Sequence, residues 1–155
     1  MTRQRCEEVM RSYLTEVVAQ GKLELIDGFA ANDMVDHTQT IRGPAALKRH
    51  VSNFRARLDD FEIVVERIIA SDDEVVGVWR LCTTHSMELW GLPPTGKPIE
   101  ARNASMFRLK DGMLVDYEVF SDSLAVVRQL GAEVRFSDPQ SRVTPDRTRR
   151  VPPRS

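Results

Sequence analysis

The sequence has few of the residues that build disulfide frameworks or metal sites. Its 155 residues include two cysteines, Cys6 and Cys82, and three histidines. One cysteine lies in a helical pattern and the other in a strand pattern, with no CxxC or Cys/His metal spacing. A chain of this length can bury a hydrophobic core without disulfides or bound metal ions. We therefore expect neither a disulfide framework nor a metal site.

An excess of one charge and a long hydrophobic run are also lacking. The formal net charge is -1, which argues against nucleic acid or a membrane surface as a partner. No run approaches the roughly 18 apolar residues of a membrane span. The first residues, MTRQRCEEVMRSYL, are charged and lack the apolar segment of a signal peptide. These features favour a cytoplasmic protein.

The last residues differ in composition from the rest of the chain. They are rich in proline, arginine and serine and include the basic segment DRTRRVPPRS. Such tails are typically solvated and disordered. We expect a single domain over residues 1–136 and a disordered tail over residues 137–155.

The first part of the chain has helical periodicity. Apolar residues recur at spacings of three and four over residues 5–20, which predicts an amphipathic helix that ends at Gly21. We expect a short second helix over residues 22–31 and an irregular segment over residues 32–42. Pro44 suits the first turn of a third helix, because its missing N–H group is not needed there.

After Asp60 the periodicity changes to two, which is typical of strands. Asp111-Gly112 predicts a tight hairpin turn, since both residues tolerate positive φ. Helices followed by consecutive strands predict an α+β fold, with helices on one face of an antiparallel sheet. The pattern predicts strands over residues 61–65, 75–85, 99–109 and 113–121, and a last short helix over residues 123–130.

The three histidines are candidates for chemistry. His50 lies near the apolar edge of the third predicted helix and is interpreted as a packing residue. His85 projects on the same side of its strand as Trp79 and Leu81, because side chains alternate across a strand. By itself, a histidine at the end of such a row is more often structural than catalytic. His37 follows Asp36 in the segment predicted to be irregular.

Asp122 allows two interpretations. It stands just before Ser123, where an aspartate would cap the last helix by accepting backbone N–H hydrogen bonds. The same carboxylate could transfer protons if it faced a cavity. The residues alone leave both alternatives open.

Four blocks of the sequence together carry a resemblance to a known family. They are Val35-Asp-His37, Thr84-His85 with Gly91-Leu-Pro-Pro-Thr-Gly96, Phe107 to Gly112, and Asp122 with Arg128-Gln-Leu-Gly131. In this order they resemble the SnoaL-like polyketide cyclase family. The resemblance implies a cone-shaped α+β barrel of the nuclear transport factor 2-like superfamily, usually a homodimer, with a curved antiparallel sheet and N-terminal helices enclosing an apolar cavity. His85 would point into the cavity, and the Trp90 loop would form part of its rim.

The resemblance also implies site residues. Asp122 would act as acid/base, with His85 and His37 nearby, and no cofactor or metal would be needed. Glu118 departs from the family, which commonly has tryptophan at this position. The expected substrate-binding residues are Tyr13, Phe54, Trp79, Trp90, Met106 and Glu118.

The implied reaction is an aldol-type ring closure of a polyketide or related secondary-metabolite intermediate. A base removes a proton between carbonyl groups, and an acid protonates the oxygen formed. One alternative keeps the fold but opens an epoxide or hydroxylates a ring; it is disfavoured because Cys82, not aspartate, stands two residues after Arg80. Another alternative is a non-catalytic, dimeric module that binds a small molecule.

Overall fold

Five strands form one curved, unclosed sheet in the order β1-β5-β4-β3-β2. This computed structural model describes residues 2–135. The strands are β1 (Ala30–Asp36), β2 (Phe61–Ala70), β3 (Glu74–Thr84), β4 (Pro98–Lys110) and β5 (Met113–Ser121). The helices are α1 (Arg3–Ser12), α2 (Pro44–Arg55) and α3 (Ser123–Gln129). The predicted α+β class is confirmed.

The first helix buries the apolar stripe seen in the sequence. After Ser12 it continues in π-helical form over Tyr13–Val18, and the chain leaves it at Gly21 with φ of 77°. The helix packs across β2 and β3. All the predicted stripe residues are buried: Cys6, Val9, Met10, Tyr13, Leu14, Val17 and Val18.

The segment after this helix differs from the prediction. Instead of a helix over residues 22–31, a 3-10 turn spans Leu23–Gly28. The segment predicted to be irregular contains most of β1, which pairs in parallel with β5. Strand β1 is short and carries Asn32 and Asp33 on exposed positions, so it lacks the apolar alternation by which strands are recognised.

The other strands follow the predicted order and pair antiparallel with their neighbours. Asp111 and Gly112 form the turn between β4 and β5, with φ of 50° and 84°. Burial alternates along β3 and β4, because one sheet face lies under the helices. The opposite face points outward.

Two sequence predictions concern features beyond this fold. The predicted tail over residues 137–155 lies outside the described residues. Among the helices of residues 2–135, none has the length and apolar character needed to cross a membrane.

Candidate active site

A cavity of about 380 Å³ opens between the sheet, the C-terminal half of α2 and the loop after β3. Its size is within the range of small-molecule sites. The side chains at its mouth are exposed, among them Trp90 and Met87. Its walls combine apolar residues with polar and charged ones; the apolar ones include Phe54, Leu58, Leu81, Leu89, Ile99 and Val126, and the others include Asn53, Arg57, Glu88 and Asn103.

The loop after β3 forms one side of the mouth. Leu89 and Leu92 pair through two backbone hydrogen bonds of 3.1 and 2.9 Å, which close a tight turn over Trp90 and Gly91. Trp90 has φ of 52°, a conformation that costs energy for a bulky residue and is found mainly at turns and functional sites. The turn places the Trp90 indole at the cavity mouth, where it is 56% exposed.

His85 lies at the wall of the cavity and is 3% exposed. Its ring nitrogen Nδ1 accepts a hydrogen bond from the backbone N–H of Thr95 at 3.2 Å and lies 2.9 Å from Thr95 Oγ1. Because a backbone N–H can only donate, Nδ1 must be unprotonated and Nε2 must carry the ring proton. Nε2 is buried and has no partner within residues 2–135. His85 thus carries a buried N–H donor that has no partner in the described residues, on a side chain that lines the cavity.

Asp122 both caps α3 and lines the cavity. Its Oδ1 accepts a hydrogen bond from the Ala125 N–H at 3.1 Å, as the capping interpretation predicts. In the described part of the chain its Oδ2 has no hydrogen-bond partner, and the side chain is exposed at the cavity. The two sequence interpretations therefore do not exclude each other.

The structure adds a group that the sequence analysis had interpreted as packing. His50 lines the cavity, and its Nδ1 lies 2.8 Å from Thr38 Oγ1 and 3.0 Å from Asp36 Oδ2. Asp36 is 1% exposed, and Thr38 donates to its Oδ1 from both its N–H and its hydroxyl. The only sequence signal was the spacing of Asp36 and Thr38, because an aspartate can accept a hydrogen bond from the backbone N–H two residues later in a turn.

The charge state of Asp36 follows from these contacts. Burial acts to raise the pKa of Asp36, whereas the contacts with His50 and Thr38 lower it by more, so the pKa lies below its ordinary value. The carboxylate is therefore ionised at neutral pH. It is a buried negative charge directly behind the His50 ring.

A second, smaller cavity of about 80 Å³ lies deeper. Tyr13 and Trp79, both expected to bind substrate, line this cavity together with His50 and Tyr117. Tyr13 donates to the Tyr117 hydroxyl at 3.1 Å, and burial raises the pKa of both phenols. Phe54 lines both cavities.

Three of the expected site residues lie outside both cavities. Met106 and Glu118 face each other across β4 and β5. Met106 is exposed between two buried residues of β4, so this pair lies on the outer face of the sheet. His37 is exposed and pairs with Asp116 at 3.0 Å, 3.8 Å from Glu118. Met106 and Glu118 therefore lie on the opposite sheet face from the buried row of Trp79 and Leu81 that leads to His85.

The described residues contain no group of three or more His, Cys, Asp or Glu side chains arranged to hold a metal ion. Arg80, which the epoxide-opening alternative would need, forms ion pairs with Glu66 at 3.3 Å and Glu100 at 3.0 Å. It is not among the residues that line either cavity.

Solved structures with the same fold cover most of the chain. TsrD from Streptomyces laurentii superposes with a TM-score of 0.73 at 17% identity, over 86% of this chain and 99% of that one. IdmH from Streptomyces antibioticus, a proposed polyketide cyclase, has a TM-score of 0.68 at 26% identity, over 81% and 98%. AclR from Streptomyces galilaeus, a proposed hydroxylase, has a TM-score of 0.68 at 18% identity, over 87% and 89%.

No curated protein matches the sequence. Comparison with family models gives a more specific result than the solved structures do. The family model of the SnoaL-like polyketide cyclases matches residues 8–130, a range that includes the cavity walls, His85 and Asp122. With that match over most of its length, the chain belongs to the SnoaL-like polyketide cyclase family.

Proposed function

We propose that this protein is a cofactor-independent cyclase that closes a ring of a polyketide or related intermediate by aldol addition. The observation that carries the proposal is the buried Nε2–H of His85, which has no protein partner in residues 2–135 and belongs to a side chain that lines the cavity. A buried donor without a partner costs roughly 1–3 kcal/mol. A ligand oxygen that accepted this hydrogen bond would remove that cost.

Asp122 and His85 divide the reaction in this proposal. Asp122 Oδ2 removes a proton from the carbon between two carbonyl groups, and the resulting enolate carbon bonds to a second carbonyl carbon. The oxygen of that carbonyl becomes an alkoxide, which the His85 Nε2–H stabilises. Asp122 then returns its proton to the alkoxide, so that the overall reaction consumes no other reagent.

The position of Asp122 suits this role. Its Oδ1 is held by the Ala125 N–H, which fixes the carboxylate while Oδ2 stays free to accept a proton. Apolar wall residues such as Leu81 and Val126 would surround part of the enolate, and their low polarity would strengthen the hydrogen bond from His85.

The proposal is tested by proton exchange and ring closure in the same samples. Aromatic precursors with an unclosed β-diketone side chain would be incubated with the protein in D2O. Proton NMR follows deuterium uptake at the carbon between the carbonyls, and chromatography with mass spectrometry follows the closed product. We expect the wild-type protein to accelerate both.

Asp122→Asn is the decisive variant, because asparagine caps helices nearly as well as aspartate but cannot take up the proton. We expect it to fold normally and to lose about 10²- to 10⁴-fold in both rates. The matched control is Asp111→Asn, at a turn position with φ of 50° that asparagine tolerates. Equal rates for Asp122→Asn and wild type would leave Asp122 as a helix cap alone.

A non-catalytic binding module is the competing outcome. It would bind these precursors with no exchange and no closure in the wild-type protein. That result would overturn the proposal while leaving the fold and the cavity unchanged.

A further inference from the structure

The two histidines at the cavity are fixed in opposite hydrogen-bonding states. For His85, the Thr95 N–H occupies Nδ1 and leaves Nε2–H as a donor. For His50 the constraint also acts on Nδ1, but the atoms next to this nitrogen are acceptors, and the result is the reverse state.

The state of His50 follows from the hydroxyl of Thr38. Thr38 donates its hydroxyl proton to Asp36 Oδ1 at 2.7 Å, so its oxygen can only accept from His50 Nδ1 at 2.8 Å. The other near atom, Asp36 Oδ2 at 3.0 Å, is also an acceptor. Nδ1 must therefore carry the ring proton, and the Nε2 of the neutral ring is left with a free lone pair.

The remaining surroundings of His50 do not satisfy that lone pair. Nε2 has no hydrogen-bond partner in residues 2–135. The Tyr117 ring packs against the imidazole in a T-shaped arrangement at 5.2 Å, and the Tyr117 hydroxyl is engaged with Tyr13. His50 is the one residue of this group that lines both cavities.

We propose that this pair selects the ligand: His50 Nε2 accepts a hydrogen bond from a hydroxyl group, while His85 Nε2–H donates one to a carbonyl oxygen of the same molecule. The substrate class is then a hydroxy-ketone on an apolar skeleton, such as a hydroxyaryl ketone or the enol form of a β-diketone. Asp36 and Thr38 are positioning residues: they contact Nδ1 of His50 and thereby leave its Nε2 as the acceptor. The inference rests on the proposed function for its substrate, but the hydrogen-bonding pair can be tested without turnover.

The first test reads the tautomers directly and needs no ligand. Long-range 1H–15N NMR of the protein labelled at histidine would be recorded near pH 8. We expect His50 to show the Nδ1–H form and His85 the Nε2–H form. Assignment uses His50→Phe, His85→Phe and His37→Phe. An Nε2–H signature for His50 would overturn the proposal.

The second test measures binding of matched probes. Titration calorimetry would compare hydroxynaphthyl methyl ketones, as positional isomers, with analogues that lack the hydroxyl and with analogues that lack the carbonyl. For the best isomer we expect the wild-type protein to lose roughly ten-fold in affinity when either group is removed. Equal affinity without the hydroxyl in every isomer would refute the role of His50.

Variants assign each preference to its histidine. In His50→Phe the preference for the hydroxyl should disappear while the preference for the carbonyl remains, and in His85→Phe the reverse is expected. His37→Phe, which changes a histidine outside both cavities, should retain both preferences. If each of these two variants lost both preferences, the whole site would be disturbed. That result would contradict the assignment of the hydroxyl to His50 and the carbonyl to His85. If these preferences hold but no ring closure occurs, the proposed function fails and the ligand class stands.

Discussion

His85 shows how one side chain can serve both the fold and the site. Its backbone and its Nδ1 hold the loop after β3: its N–H donates to Lys97 O at 2.8 Å, and its carbonyl accepts from Gly96 N at 3.0 Å. Only Nε2 is left over, buried without a partner in the described residues. A purely structural histidine in a core would be expected to satisfy both nitrogens.

Replacing this ring should separate activity from stability. In His85→Leu we expect ring closure to fall by about 10²- to 10³-fold, since one oxyanion donor is removed. The free energy of unfolding should stay within about 1 kcal/mol of wild type, because loss of the unpartnered N–H offsets loss of the Thr95 hydrogen bond.

His85→Gln is the companion variant, since its amide retains an N–H donor. It should recover part of the rate lost in the leucine variant. Rates would be followed by product formation, and stability by urea unfolding. A leucine variant with the wild-type rate would exclude His85 as the donor.

At the scale of elements, the end of β1 is joined to α2 by the contacts of Asp36 with Thr38 and His50. The pKa of Asp36 is lowered in the folded protein, below its ordinary value of 3.8. Its ionised form therefore stabilises the fold at pH values above the ordinary pKa. That contribution is lost as the pH falls through the folded pKa.

The pH dependence of stability should reveal this carboxylate. We expect Asp36→Asn to lower the free energy of unfolding by about 2 kcal/mol at pH 7. The difference from wild type should shrink below about pH 4, where the wild-type carboxylate in the unfolded chain takes up its proton. Urea unfolding at pH 7 and pH 3 measures both.

Asp27→Asn is the control for that experiment. Asp27 is an exposed residue paired with Lys48, and surface ion pairs contribute about 0–1 kcal/mol. A difference for Asp36→Asn that stayed constant over this pH range would show that the buried charge does not stabilise the fold.

The start of α2 depends on Gly43. Its φ is 80°, and a Cβ at this position would lie 2.5 Å from the backbone oxygen of Asn32 in β1. Gly43 also donates its N–H to Met34 O at 2.9 Å. These contacts set where α2 begins relative to β1, and thereby where His50 meets Asp36.

Gly43→Ala should therefore be strongly destabilising, by about 3 kcal/mol, since both the backbone conformation and the space exclude a side chain. Gly28→Ala is the matched control, because no atom lies within 4 Å of the added Cβ. It should change stability by less than about 1 kcal/mol. Thermal unfolding of both variants measures the difference, and similar melting temperatures would contradict the argument.

At the scale of the whole molecule, the outer sheet face carries exposed apolar side chains. Ile69, Met106 and Phe120 are 56%, 40% and 58% exposed. Exposed apolar groups on a sheet face are typical of interaction surfaces. This agrees with the homodimer that the family resemblance implies.

We predict a homodimer formed through this face, to be measured by light scattering after gel filtration at micromolar concentrations. Phe120→Glu should shift the protein toward monomer, because it places a charge on the proposed interface. Val134→Glu, at an exposed apolar residue beyond the sheet, should leave the mass unchanged. A wild-type monomer would refute the prediction.

The sequence by itself determined the features that depend on neighbours along the chain. The helical stripe from Cys6 to Val18 and the Asp111-Gly112 turn are local patterns, and the structure has both. The inward direction of His85 follows from strand alternation after Trp79 and Leu81. The capping bond of Asp122 is equally local, since its partner Ala125 is three residues away.

Tertiary structure decided what depends on partners far apart in the sequence. Strand β1 forms because β5 supplies its hydrogen bonds. No pattern within residues 30–36 therefore predicted it. That pairing brings Asp36 beside His50, which sequence reasoning had treated as a packing residue, and it leaves His37 outside both cavities. A side chain's chemistry is set by the groups that surround it, and only the folded chain brings those groups together.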